Sequence, residues 1–138
     1  MTRPLSPHIQ IYRWTLTMTL SILHRATGVA LYGGTAGAAL WLASIAQGGD
    51  FYINVQALLT SDIGLVILFL YNWALLHHLV GGLRHFVWDM GAGFQLSHVE
   101  WGARLGVVVP LAATLFIWWE FIWREFIWQE FILGRLAS

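Results

Sequence analysis

Three stretches of this chain stay apolar for longer than a soluble helix needs, and most polar residues are grouped at their ends. The first is "ATGVALYGGTAGAALWLASIA", Ala26–Ala46, with a more polar helical lead-in from Thr15. The second is "IGLVILFLYNWALLHHLVGGL", Ile63–Leu83. The third starts near Leu105 as "LGVVVPLAATLFIWW" and reaches Glu120. The first two match the roughly 20 residues a helix needs to cross hydrocarbon, and the third does so by continuing through Trp123. The pattern predicts an all-α integral membrane protein in a single domain, residues 1–138. Three transmembrane helices are expected at about 15–46, 63–88 and 104–123, with an N-terminal cytoplasmic segment and residues 47–62 as the first loop. Pro110 is expected to kink the third helix without ending it.

Composition agrees with this pattern. Charged residues make up 10% of the chain and mean hydropathy is +0.66, whereas a soluble domain carries about a quarter charged residues. With no cysteine, the chain offers no disulfide, zinc–thiolate or iron–sulfur ligand. A net charge of zero gives no reason to expect nucleic acid as a partner. The basic residues are all arginine, and their placement sets an orientation. Arg3, Arg13 and Arg25 precede the first span, Arg84 and Arg104 flank the second loop, and the first loop has none. The N-terminus and second loop are therefore expected in the cytoplasm and the C-terminus outside. No secretory signal pattern opens the chain, and no Arg/Ser-rich leader precedes the first span. A bacterial inner membrane is the expected location, ahead of a mitochondrial one.

The costly residues for such a protein are those of "LLHHLVGGLRHFVWD", Leu75–Asp89. At about 100° per residue, His78, Gly82, His85 and Asp89 fall on one stripe with Gly81 beside it, while His77 and Arg84 lie on a neighbouring face. Two glycines beside a histidine leave a flat place that a planar macrocycle, or another helix, can approach closely. A haem iron takes a neutral imidazole, and its propionates need cationic or donor groups at the watery edge. His78 inside the span, with Arg84 and His85 near its end, has that polarity. Helix packing and a proton path through His77, His78, His85 and Asp89 remain alternatives. In "SILHRATG", Ser21–Gly28, the residues Ser21, His24, Arg25 and Gly28 recur at spacings of three and four. They form either an interfacial anchor, with Arg25 reaching to phosphate, or a boundary pocket for a lipid-soluble ligand with carbonyl oxygens.

With both groups in view, the chain resembles the cytochrome b subunits of succinate dehydrogenase, the larger membrane anchor of respiratory complex II. The motifs that carry the resemblance are "RPLSPHIQIYRW" (Arg3–Trp14), "TMTLSILHRATGVAL" (Thr17–Leu31) and "HHLVGGLRHFVWD" (His77–Asp89), in that order. It covers roughly residues 3–119. The resemblance implies His78 as an axial ligand of haem b, the other ligand coming from a smaller membrane-anchor subunit that shares the haem. It implies His24, Arg25, Arg84 and His85 around the haem propionates, and Ser21 and Arg25 in a ubiquinone pocket. It also implies an iron–sulfur subunit, against which Arg3–Trp14 would dock, and a flavoprotein subunit. Electrons from succinate would pass through the iron–sulfur clusters to ubiquinone. The chain would thus belong to an enzyme, succinate:quinone oxidoreductase, while carrying no catalytic residue of its own. Alternatives are the equivalent anchor of a quinol:fumarate reductase, a haem-free structural anchor, or a small proton-conducting protein. His77 has no role assigned, Asp89 could hold Arg84 or His85 or face a partner subunit, and His8 and His98 are expected at the surface or an interface.

The segment "FIWWEFIWREFIWQEFILGR", Phe116–Arg135, repeats F-I-W-x-E. Each step of five turns the side chain by roughly 140°, so Glu120, Glu125 and Glu130 do not form one acidic stripe. Glu120 and Arg124 have the supportive i, i+4 order. The tryptophans of the repeat (Trp118, Trp119, Trp123 and Trp128) suit the aromatic belt of a helix leaving the bilayer.

Overall fold

The computed structural model describes residues 6–136, with side chains as far as Glu125 and that of Trp128. Arg3 and the side chains of Glu130 and Arg135 lie outside the described residues. After a short 3-10 turn at Ile9–Ile11, the described residues form four helices: α1 (Leu16–Gln47), α2 (Gly49–Thr60), α3 (Asp62–Asp89) and α4 (Leu96–Leu136). Three of them, α1, α3 and α4 over Leu96–Glu125, are long and apolar enough to cross a membrane. Helix α3 is central, packing on both α1 and α4, while α1 and α4 touch over a smaller area.

Helix ends follow local chemistry. The Thr15 hydroxyl caps α1 by accepting from the Met18 amide at 3.4 Å, and Ser61 caps α3 by accepting from Gly64 at 3.1 Å. Between them, the expected loop at residues 47–62 is instead the helix α2. Gly48 and Gly49 take positive φ (69° and 60°) and break α1, and Asp50 then faces the amide end of the new helix. At 12 residues α2 is about 18 Å long, too short to span hydrocarbon. It folds tightly onto α3 because Gly64 has no Cβ, which would strike the carbonyls of Leu58 and Leu59.

The second correction concerns α4. It begins at Leu96, well before the expected 104, directly after a turn in which Gly91 and Gly93 take positive φ. It continues past Glu120 to Leu136. Hydropathy marks where a helix is compatible with lipid, and a helix can continue beyond that. The polar first turns are held by Glu100–Arg104 at 3.9 Å and by Arg104 over Trp101. Beyond the apolar run, Glu120 pairs with Arg124 at 3.8 Å, and Trp119 stacks on Trp123. At 41 residues α4 is about 60 Å long, twice the roughly 30 Å of hydrocarbon.

The bundle has a small interior of Leu20, Ala74, Ala103 and Pro110, together with the polar Thr27, Ser44, His77 and Thr114. Most large apolar side chains point outward, the reverse of a water-soluble bundle. Glycines let the backbones close in: Gly34 receives the Tyr71 ring, and Gly102 and Gly106 of α4 lie against Arg84 and Leu20.

Candidate functional site

The site lies where α1 and α3 cross. Two histidine–glycine pairs interlock there. The His24 ring of α1 rests on Gly81 of α3, and the His78 ring of α3 rests on Gly28 of α1, where a Cβ would stand 3.1 Å from His78 Cε1. The two rings stack with centroids 4.0 Å apart and 14° between planes. His85 meets His24 edge-on at 5.3 Å. Trp88 lies beneath both neighbours, with the Arg84 guanidinium 4.9 Å above its ring and His85 packed edge-on at 5.2 Å.

Hydrogen bonds distinguish the adjacent histidines. His78 Nδ1 lies 3.1 Å from the His24 carbonyl and 3.3 Å from Thr27 Oγ1. A carbonyl only accepts, so Nδ1 carries the hydrogen and the neutral ring keeps its lone pair on Nε2. This is the arrangement that metal-bound histidines use, the second nitrogen being anchored to a carbonyl. Thr27 is buried and donates to the Leu23 and His24 carbonyls at 2.8 and 3.0 Å, which fixes its oxygen toward His78. At Gly82, one turn beyond His78 on the same helix, an added Cβ would meet nothing within 4 Å, so the helix surface there is open.

His77 faces the other way. It is 3% exposed, stacks on Trp73, and donates from Nδ1 to the Gly106 carbonyl at 3.1 Å. That carbonyl needs an outside donor because its helical partner would be the amide of residue 110, and proline has none. Thr114 in turn donates its hydroxyl to the Pro110 carbonyl at 2.7 Å. His77 is therefore a clasp between α3 and α4. Sequence reasoning left it unassigned, although a proline four residues after Gly106 was the available signal. Thr27 and Trp88 were also missed, though both stand inside the quoted motifs.

The remaining candidates sit at the rim. Ser21 and Arg25 are exposed on α1 and make no side-chain hydrogen bond or ion pair with the described residues. The broad stripe of α1 thus divides, with His24 and Gly28 turned to α3 and Ser21 and Arg25 beside the crossing. Arg84 is half-buried and His85 exposed. Asp89 is exposed and pairs with neither, and His8 and His98 are exposed. Among the described residues no three His, Asp or Glu side chains converge on one metal position. The histidines here suit axial ligation, in which a macrocycle supplies the other donors.

Residues 1–119 match the family described as succinate dehydrogenase/fumarate reductase transmembrane subunit. The chain is 37% identical over 116 residues to the succinate dehydrogenase cytochrome b556 subunit of Rickettsia prowazekii, covering 84% of this chain and 90% of that one. It is 34% identical over 122 residues to the b556 subunit of Paracoccus denitrificans, covering 86% and 94%. With the mitochondrial cytochrome b560 subunit of Sus scrofa it shares 36% over 118 residues, 82% of this chain but 66% of the longer relative. The family match ends at residue 119, within the first unit of the F-I-W-x-E repeat. The chain belongs to the succinate dehydrogenase/fumarate reductase transmembrane subunit family, and its relatives there are the succinate dehydrogenase cytochrome b subunits.

Proposed function

We propose that the chain is the haem b- and ubiquinone-binding membrane anchor of a succinate dehydrogenase. The observation that carries this reading is the anchoring of His78 Nδ1 on the His24 carbonyl, which leaves Nε2 as the ligand atom, with open helix surface one turn on at Gly82. The residues present fit the group: His78 would take the iron, and His24, Arg25, Arg84 and His85 would face its carboxylates. When bound, the haem supplies a one-electron redox centre within the membrane.

The chain's own residues orient and hold. Thr27 and the His24 carbonyl fix the plane and tautomer of His78. Trp88 holds Arg84 and His85 in place, giving a guanidinium and an imidazole donor at the end of α3. At the rim, the Ser21 hydroxyl and the Arg25 guanidinium would hold the carbonyl oxygens of ubiquinone, with Arg25 stabilising negative charge as the quinone is reduced. The partners would be the smaller anchor subunit, contributing the second iron ligand, and the iron–sulfur subunit docked on the N-terminal segment. Ile9, Tyr12 and Trp14 of that segment are exposed, which supports a covering protein. The flavoprotein subunit would supply the electrons. The proposed location is a bacterial inner membrane with the N-terminus cytoplasmic.

The test is a dithionite-reduced-minus-oxidised spectrum of the purified complex, with His78→Ala, His77→Ala and Gly82→Leu beside the wild type. The reading expects a b-type band that is lost in His78→Ala, weakened in Gly82→Leu and retained in His77→Ala. A wild-type complex without haem would favour a structural anchor. Loss of the band in His77→Ala alone would reverse the assignment of the two histidines.

A further inference from the structure

Three buried nitrogens at the crossing of α1, α3 and α4 have no hydrogen-bond partner among the described residues: His24 Nε2, His77 Nε2 and Arg84 Nε. All three residues line one small cavity, together with Leu20 of α1 and Gly102 and Gly106 of α4. Its volume is about 10 Å³, at the lower edge of the roughly 10–15 Å³ a cavity needs to hold a single water. An unpaired buried polar group is expensive, and three around one void of this size call for a shared partner.

The donor pattern specifies that partner. His77 Nδ1 carries its hydrogen, committed to the Gly106 carbonyl, so Nε2 of the neutral ring is an acceptor. Arg84 Nε–H is a donor only. His24 Nε2 is one or the other, according to tautomer. A water molecule has two hydrogens and two lone pairs, so it can donate to His77, accept from Arg84 and complement His24 in either form. An anion cannot donate to His77 and a metal cation is repelled by Arg84.

We infer that the three-helix crossing holds one resident water molecule, hydrogen-bonded to His24, His77 and Arg84. The water ties the α3–α4 clasp at His77 to the α1–α3 cluster at His24 through a single polar node. His77 is then a positioning residue, connected to the His24–Arg84 face although it points away from the His78 ligand site. Glycine at 102 and 106 keeps the node open, since Gly102 lies 3.6 Å from Arg84 Cδ and Gly106 lies 3.6 Å from Leu20 Cδ1, measured from the Cβ each would bear.

The test is a structure of the intact complex at a resolution that shows ordered water, for wild type, His77→Gln and His77→Phe. Glutamine keeps an N–H for the Gly106 carbonyl and an oxygen that can accept, whereas phenylalanine keeps neither. The expected result is one isolated density peak about 3 Å from the three nitrogens, retained with His77→Gln and lost with His77→Phe. A dry cavity in the wild type overturns the inference, as does a haem carboxylate oxygen bonded to Arg84 and His24 in the same place. A peak that persists in His77→Phe removes His77 from the node. The same maps show whether haem is present, so failure here is distinguishable from failure of the haem reading.

Discussion

Replacing Gly81 with alanine puts a methyl group where the His24 ring lies. The new Cβ would stand 3.1 Å from Nε2 and 3.4 Å from Cγ of His24, and closer still to Cδ2, against an ordinary separation of about 3.5–4.0 Å. The ring cannot retreat freely, because it is stacked at 4.0 Å on His78 and meets His85 at 5.3 Å. Either α1 moves off α3 or the stack is broken. Overpacking of this kind costs about 1–3 kcal/mol, roughly a 2–12 °C fall in the apparent unfolding midpoint at about 2–4 °C per kcal/mol. The assay is thermal unfolding of the detergent-solubilised complex at one fixed scan rate, since such unfolding is seldom reversible. Gly33→Ala on α1, where a Cβ meets nothing within 4 Å, is the control and should be neutral. The decisive measurement adds His24→Ala to Gly81→Ala. With the ring gone the methyl group has room, so the double variant should be less destabilised than the sum of the singles by about 1–3 kcal/mol. Additivity, or a Gly81→Ala complex as stable as the control, would refute the interlocked histidine–glycine packing.

The α3–α4 clasp makes a reciprocal prediction. His77→Leu should cost roughly 0.6–1.7 kcal/mol, the range for buried polar contacts between membrane helices, and much less in a Pro110→Ala background where the Gly106 carbonyl regains an amide partner. Equal costs in the two backgrounds, by the same unfolding assay, would rule out the proline as the reason for His77. Among the described residues, the Arg84–Trp88 contact is half-buried and the Arg104–Trp101 contact exposed. Trp88→Leu should therefore lose about 1–2 kcal/mol from that contact and Trp101→Leu about 0.5 kcal/mol, and the reverse order would discard Trp88 as the support of Arg84. Because the chain has no cysteine, single cysteines report topology cleanly. An impermeant thiol reagent should label Asn54→Cys in α2 from the outside and His8→Cys only after the membrane is opened, and the opposite pattern would invert the proposed orientation.

Much of the fold was legible because lipid imposes a length on apolar runs. The three long helices appear in the sequence as three such runs, and the arginines and histidines at their edges stand out by cost alone. The same logic hides whatever lipid does not select. Helix α2 reads as a loop because it is too short to span, although Gly48, Gly49, Asp50 and Ser61 carry its start and stop signals. The polar first turns of α4 were assigned to the loop because hydropathy stops at Arg104 while backbone hydrogen bonding does not.

The histidine pair shows the limit more sharply. His77 and His78 have the same chemistry and are one residue apart, so composition and motif spacing treat them almost alike. The helix separates them by about 100°, and what each then meets is decided on another helix. His78 meets a carbonyl of α1 that is already bonded within its helix and accepts a second hydrogen. His77 meets a carbonyl of α4 left without a donor by Pro110. Helical periodicity alone could place the two rings on different faces, but the duty of each face depended on residues 54 positions before His78 and 29 positions after His77. The histidine proposed as the ligand has Nδ1 committed to a carbonyl already bonded in its own helix, and the structural histidine is the one that a missing amide requires.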